Sequence, residues 1–218
     1  MAKVSGAESP RPQADRAPAA ADPARAKSQA RAQSFMRSAL AILGETGRTD
    51  FTVLEVVERS KTSLRAFYQH FATKDELLLA LVEKIMADAT ERWTAETADL
   101  PSDQALRLLI DRVSAPAEST TQEGINRGLT YYNDHLLETR PKEFAKVLAP
   151  LNRLVIDILR RGIADGVFRS DLDVATDATI LMHTALGALR LRDLGAELNG
   201  VPIDGRHVYE FSLRGLLK

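Results

Sequence analysis

Within residues 51–71, FTVLEVVERSKTSLRAFYQHF, several side chains that can hydrogen-bond to base edges or phosphates stand at helical spacing. Arg65, Tyr68 and Gln69 fall on one side of a short helical stretch, and Phe67 and Phe71, four apart, share the other. Such polar side chains can reach base edges and phosphates. A short helix with a dry aromatic back and such a front fits the major groove of double-stranded DNA. The bland alternative for Arg65 and Gln69 is a solvated helix face. For Phe67 and Phe71 it is core packing, and we adopt it.

Capping signals position this stretch. Thr52-x-x-Glu55 is a capping box that opens one helix, with Val53, Val56 and Val57 at helical spacing. Ser60, Lys61 and Thr62 interrupt the pattern, and Ser63 is an N-cap for the next helix. A second box, Thr73-x-x-Glu76, starts a long helix from Lys74 to about Thr97, whose buried stripe is Leu78, Leu81, Val82, Ile85, Met86, Ala89 and Trp93. Lys74 in its first turn opposes the helix dipole, which a phosphate would relieve. Upstream, a helix from about Ala26 to Gly44 carries Ala32, Phe35, Met36, Ala39, Leu40 and Leu43 on one face, with Gly44 and Gly47 bracketing its end and Arg48-Thr49-Asp50 as the following loop. Arg25, Lys27 and Arg31 precede its apolar part, either as a basic arm on DNA or as a solvated helix start. Residues 1–24 are rich in Pro and Ala and poor in large apolar groups, which predicts disorder.

Charge is distributed to match. The chain is close to neutral, at −1, yet residues 25–75 hold nine Lys/Arg against five Asp/Glu, and residues 76–218 hold 17 against 22. The basic excess therefore sits with the helix-turn-helix stretch, where a polyanion would bind. A hydrophobic fraction of 44% suffices for a buried core. The absence of cysteine excludes disulfides and thiolate metal sites. No secretory leader pattern and no run of 18 apolar residues occurs, so a cytoplasmic protein without membrane association is expected.

Downstream, helices are predicted over Ser102–Ser114, about 124–139, Pro141 to about Asp165, Val174 to about Leu194, and about Gly205–Leu217, with residues 115–123 as a polar loop. Pro150 should kink or split the third of these. Ala185, Gly187 and Ala188 permit close helix approach, and a mid-helix glycine implies a packing reason. No strand period is seen. The expected fold is all-α, about nine helices, divided into a disordered extension (1–24), a three-helix DNA-binding head (25–73) and a larger helical body (74–218).

Over residues 26–82 the order and lengths of these elements resemble the TetR family of bacterial transcriptional regulators, through FTVLEVVERS, FYQHF and ATKDELLLALVE. The stretch GVFRSDLDVATDA is similar to that family's connector before its last two helices. The resemblance implies a cytoplasmic homodimer, dimerised through those last two helices, that represses adjacent genes from an inverted-repeat operator until a small-molecule effector shifts the linker helix, residues 74–97. It implies DNA contacts by Arg48, Thr52, Ser63, Leu64, Arg65, Tyr68, Gln69, His70 and Lys74. It also implies an effector pocket in the middle helices, for which Met86, Trp93, Tyr131, Tyr132, Asn133 and Phe144 are candidates, and a dimer interface drawing on Ala185, Ala188, Leu189 and Phe211. Neither a cofactor nor catalysis is expected. Two departures stand out. Lys61 occupies the turn where the family has glycine, which predicts a left-handed non-glycine residue at about 1–2 kcal/mol. Leu64-Arg65-Ala66 replaces Lys-Gly-Thr at the head of the recognition helix.

Two other classes compete. An all-α metal enzyme would need paired Glu-x-x-His motifs on facing helices, and His135 with Glu138 is a lone, reversed pair. His183, on an otherwise apolar helix, reads as a core or interface histidine, and His207 has no motif partner. A helical scaffold for protein partners would use the same head without DNA sequence preference.

Overall fold

The computed structural model describes residues 23–196, 200–201 and 203–218. The extension expected to be disordered lies outside the described residues except for its last two. These begin α1 (Pro23–Thr46), three residues earlier than expected, because proline at the first helical position forfeits only an N–H that has no intrahelical acceptor. There follow α2 (Val53–Arg59), α3 (Leu64–Tyr68), α4 (Lys74–Thr97), α5 (Ser102–Val113), α6 (Thr120–Thr139), α7 (Pro141–Ala164), α8 (Val174–Asp193) and α9 (Gly205–Leu216). The described residues are all-α, the one β feature being an isolated bridge between Phe168 and Leu217.

Two boundaries differ from expectation for local reasons. α6 begins four residues early, because the Ser119 side chain accepts from the Gln122 N–H and caps the helix inside the polar segment read as loop. α7 runs through Pro150 as one helix rather than splitting. The carbonyl that loses its donor there belongs to Lys146, an exposed residue.

The core forms two clusters. One gathers Phe35, Ala39, Leu43, Phe51, Val56, Val57, Phe67 and Phe71 from α1–α3 with Leu77–Val82 of α4 and Tyr132, Leu136 and Val147 from α6 and α7. The other joins α5, α7, α8 and α9 around Leu106, Leu109, Leu151, Ile158, Leu159 and Phe168. Partly buried Met86 on α4 and Phe144 on α7 pack against both, so they mark the seam.

The contact of α1 with α6 is unusually close. A Cβ on Gly124 would stand 2.5 Å from the Gly44 carbonyl oxygen and 2.9 Å from that of Leu43. Such distances leave room for hydrogen only, so glycine here sets the helix separation.

Candidate nucleic-acid interface and ligand cavity

α2 is fixed at both ends. Thr52 Oγ1 accepts from the Glu55 N–H at 3.2 Å, and Glu55 Oε2 accepts from the Thr52 N–H at 2.6 Å and from its hydroxyl at 2.7 Å. Those bonds, the backbone one first, hold the Glu55 carboxyl below its ordinary range. At the far end Arg59 pairs with Glu45 of α1, Nη1 to Oε2 at 2.8 Å. In the turn Lys61 adopts φ 53°, the left-handed conformation expected. Its N–H donates to Glu58 O and the Thr62 N–H to Val57 O, which completes a Schellman motif around a lysine. These two bonds offset the steric cost.

α3 hangs on an aromatic cluster. Phe67 is 0% exposed, with its ring centroid 5.4 Å from that of Phe35 in an edge contact and 5.7 Å from that of Phe71. Ser63 caps the helix by accepting from the Ala66 N–H at 3.2 Å. Leu64 and Tyr68 project outward at 45% and 57% exposure, and Arg65 and Gln69 are exposed beside them. Neither of the latter two makes a side-chain hydrogen bond or ion pair with any described residue. They form a face with unmet hydrogen-bonding capacity on a rigid base.

The remaining candidate contacts are tethered within the chain. Lys74 Nζ donates to the Thr49 carbonyl at 2.8 Å and lies 5.3 Å from the Phe51 ring centroid, so the loop before α2 supplies the negative partners its place in α4 demands. Arg48 pairs with Asp50. His70 is half-buried, its ring 6.0 Å from Phe35. The basic segment with Arg25, Lys27 and Arg31 is helical and exposed.

A cavity of about 360 Å³ opens among α4, α6, α7 and α8. Met86, Asn133 and Phe144 line it, as expected of pocket residues. Three other candidates do not. Trp93 packs against the body core, Tyr131 faces a depression beside Arg48 and Arg127, and Tyr132 is buried with its hydroxyl donating to Asp75 O at 3.0 Å. Successive residues of a helix point about 100° apart, so Tyr131, Tyr132 and Asn133 serve three different surroundings. The lining that sequence reasoning missed comes mostly from α6 and α8: Thr130, Asp134 and Leu137, with His183, Leu186, Gly187 and Arg190. A stripe of mixed polarity at i, i+3, i+4 and i+7 on both helices is the signal that would have found it. His183 lies at the exposed edge of this cavity, not in a core.

The residues read as interface divide. Ala185 and Ala188 are buried against the chain's own α5 and α7, and Leu189 lines the cavity, because α8 turns its 178–181–185–188 stripe inward. Phe211 is 73% exposed, and Ile180 and Thr184 border the same open groove. Gly187 has nothing within 4 Å of where a Cβ would lie, so its packing reason is absent from the single chain.

Among the described residues no group of three or more His, Cys, Asp or Glu is arranged to hold a metal ion, and no helix is long and apolar enough to cross a membrane. His135 faces Asp75 at 3.9 Å, on the side of α4.

Comparison with known proteins agrees with this geometry. Residues 35–81 match a family model described as bacterial regulatory proteins, tetR family. The HTH-type transcriptional regulator CymR of Pseudomonas putida is 28% identical over 163 residues, covering 73% of this chain and 77% of the relative. The HTH-type transcriptional repressor KstR2 of Rhodococcus jostii is 25% identical over 181 residues, covering 79% and 84%. The fatty acid degradation regulator FadR of Bacillus halodurans superposes with a TM-score of 0.68 at 15% identity, over 84% of this chain and 98% of that one, a likeness of fold alone.

Proposed function

From the match of residues 35–81 to the tetR family model and the likeness of most of the chain to known regulators, we propose that this DNA-binding regulator is a TetR-family homodimeric repressor that a small molecule releases from an inverted-repeat operator. The observation that carries the DNA half is the outward face of α3, where Leu64, Arg65, Tyr68 and Gln69 stand on the buried Phe67 anchor. Arg65 and Gln69 read bases, and Thr52, Ser63, Tyr68, His70, Arg48 and Lys74 meet or frame phosphates. On binding, Arg48 exchanges Asp50 for a phosphate, while Lys74 keeps the loop in place. Two heads in one dimer enter successive major grooves about 34–36 Å apart. The protein acts where the DNA is, in the cytoplasm, on the genes beside its own.

The dimer forms through α8 and α9, with Ile180, Thr184, Gly187 and Phe211 as the outward contributors. Residues 25–73 act as the head and 74–218 as the body, and α4 belongs to both cores.

The effector occupies the cavity at the seam. Met86 and Phe144 touch both cores, so a ligand pressing on them changes how α4 sits between head and body. α6 gives a second route, lining the cavity through Asn133 and holding α4 and α1 through Tyr132 and Gly124. Only a ligand with different affinity for the DNA-bound and released states works this way.

A competition assay between the chain's own upstream DNA and random DNA tests the reading. A preference of about a thousandfold or more, falling steeply with salt, is the expected result. Equal binding to both would leave a helical scaffold with a nonspecific head.

A further inference from the structure

The walls of the seam cavity differ in chemistry. One side is apolar, with Met86, Phe144, Leu148 and Leu186. On the other, the charged side chains already pair: Arg190 Nε donates to both carboxylate oxygens of Asp134, at 2.8 and 3.0 Å. His183 stands at the exposed rim, and of the polar groups lining the cavity Asn133 is the one with a buried, unpartnered atom. Its Oδ1 is buried and has no hydrogen-bond partner, which is costly for an amide unless something else fills the role.

Resting on the reading of this cavity as the effector site, we infer that the effector is a compact, uncharged, mainly apolar molecule carrying a hydroxyl that meets Asn133. Arg190 and Asp134 neutralise each other, so neither an anion nor a cation finds an unbalanced charge in that pair. A neutral ligand leaves that pair intact and still gains the unmet amide. A hydroxyl both donates and accepts, so it pairs with either end of the side chain. The volume of about 360 Å³ is near the small end of ligand sites, about 300–1,000 Å³, and suits a compact ring system better than a long chain with a bulky head.

Three probes with one apolar body separate the terms: 4-butylphenol, butylbenzene and 4-butylbenzoate. Binding to the full-length protein is measured by calorimetry, and release by displacement from its upstream DNA. The phenol should bind at least tenfold tighter than either of the others. Asn133→Leu, checked for an unchanged melting temperature and helical circular dichroism, should reduce the phenol to the level of butylbenzene. Asn133→Asp, which keeps an acceptor of the same size, should retain phenol binding if the leucine variant unfolds. Preference for the benzoate, lost in Arg190→Gln, would overturn the uncharged class while leaving the cavity as the site. No phenol binding at millimolar concentration would also overturn the class. Phenol binding unaffected by Leu186→Trp, which fills the cavity, would overturn the cavity reading itself.

Discussion

The Tyr132 hydroxyl on α6 donates to the Asp75 carbonyl, 3.0 Å away in the first turn of α4. Around this bond Arg140 Nη1 reaches the Asp75 carboxylate at 2.9 Å and that of Glu76 at 3.0 Å. The start of α4, one residue beyond Lys74, is therefore held by the helix that also lines the seam cavity. Burial first, then the nearby Asp75 charge, pushes the Tyr132 hydroxyl well above its ordinary value. A raised pKa of this kind contributes stability that is complete below about pH 10 and lost only as pH rises further, so the tie is constant across physiological pH. Tyr132→Phe should cost about 1 kcal/mol of stability in thermal melts, with near-normal DNA affinity and a weakened response to effector. An unchanged dose–response would take α6 out of the signalling route.

Glycine spacing makes a contrasting pair of predictions. Gly124→Ala drives a methyl into the Gly44 carbonyl and should destabilise the chain by about 1–3 kcal/mol and weaken DNA binding. Gly187→Ala meets nothing within the chain and should be neutral or stabilising by up to about 1 kcal/mol in a monomer. If α8 faces a second subunit, the same change should shift the dimer to monomer in sedimentation equilibrium.

The recognition helix is only as firm as its anchor. Phe67→Ala removes a fully buried ring from the α1–α3 cluster and should cost about 3–5 kcal/mol, with loss of DNA binding and a lowered melting temperature. Lys61→Gly acts oppositely. It relieves the left-handed strain and should raise stability by about 1 kcal/mol, read as an upward shift of the denaturation midpoint.

Acid should loosen the head. The bonds to Thr52 hold the Glu55 carboxyl, and Arg59 holds that of Glu45, below the ordinary glutamate range, while in the body Arg169 holds Asp171 down to about 2. Carboxyls depressed on folding contribute stability above their unfolded values, and it is lost as pH falls through the folded ones. Melting temperature should therefore be flat from pH 7 to about 5 and decline below about 4.5. A Glu55→Gln variant should show a shallower decline.

Much of this was legible in the residues because short-range chemistry decides it. Thr52, Ser63 and Thr73 announce their helices through hydrogen bonds three residues away, whereas the left-handed Lys61 was expected from the resemblance, which has glycine in that turn. Phe67 and Phe71 declare the buried face by spacing alone. The cavity was less legible because it is built from four helices, and no local pattern tells whether Tyr132 or Asn133 faces it. Ala185 and Ala188 misled for a related reason: small residues permit close approach but do not say to which neighbour. Ser119 was overlooked as a cap because its helix carries few large apolar residues in its first turn.

The central claim, that α3 reads DNA from a twofold dimer, is tested most directly by footprinting the full-length protein on its own upstream DNA. The account predicts two protected half-sites related by a dyad, with centres about 34–36 Å apart, and an Arg65→Ala variant that keeps binding but loses preference at a symmetric pair of base positions. Protection without dyad symmetry, or a loss in Arg65→Ala that is equal for every sequence, would contradict it.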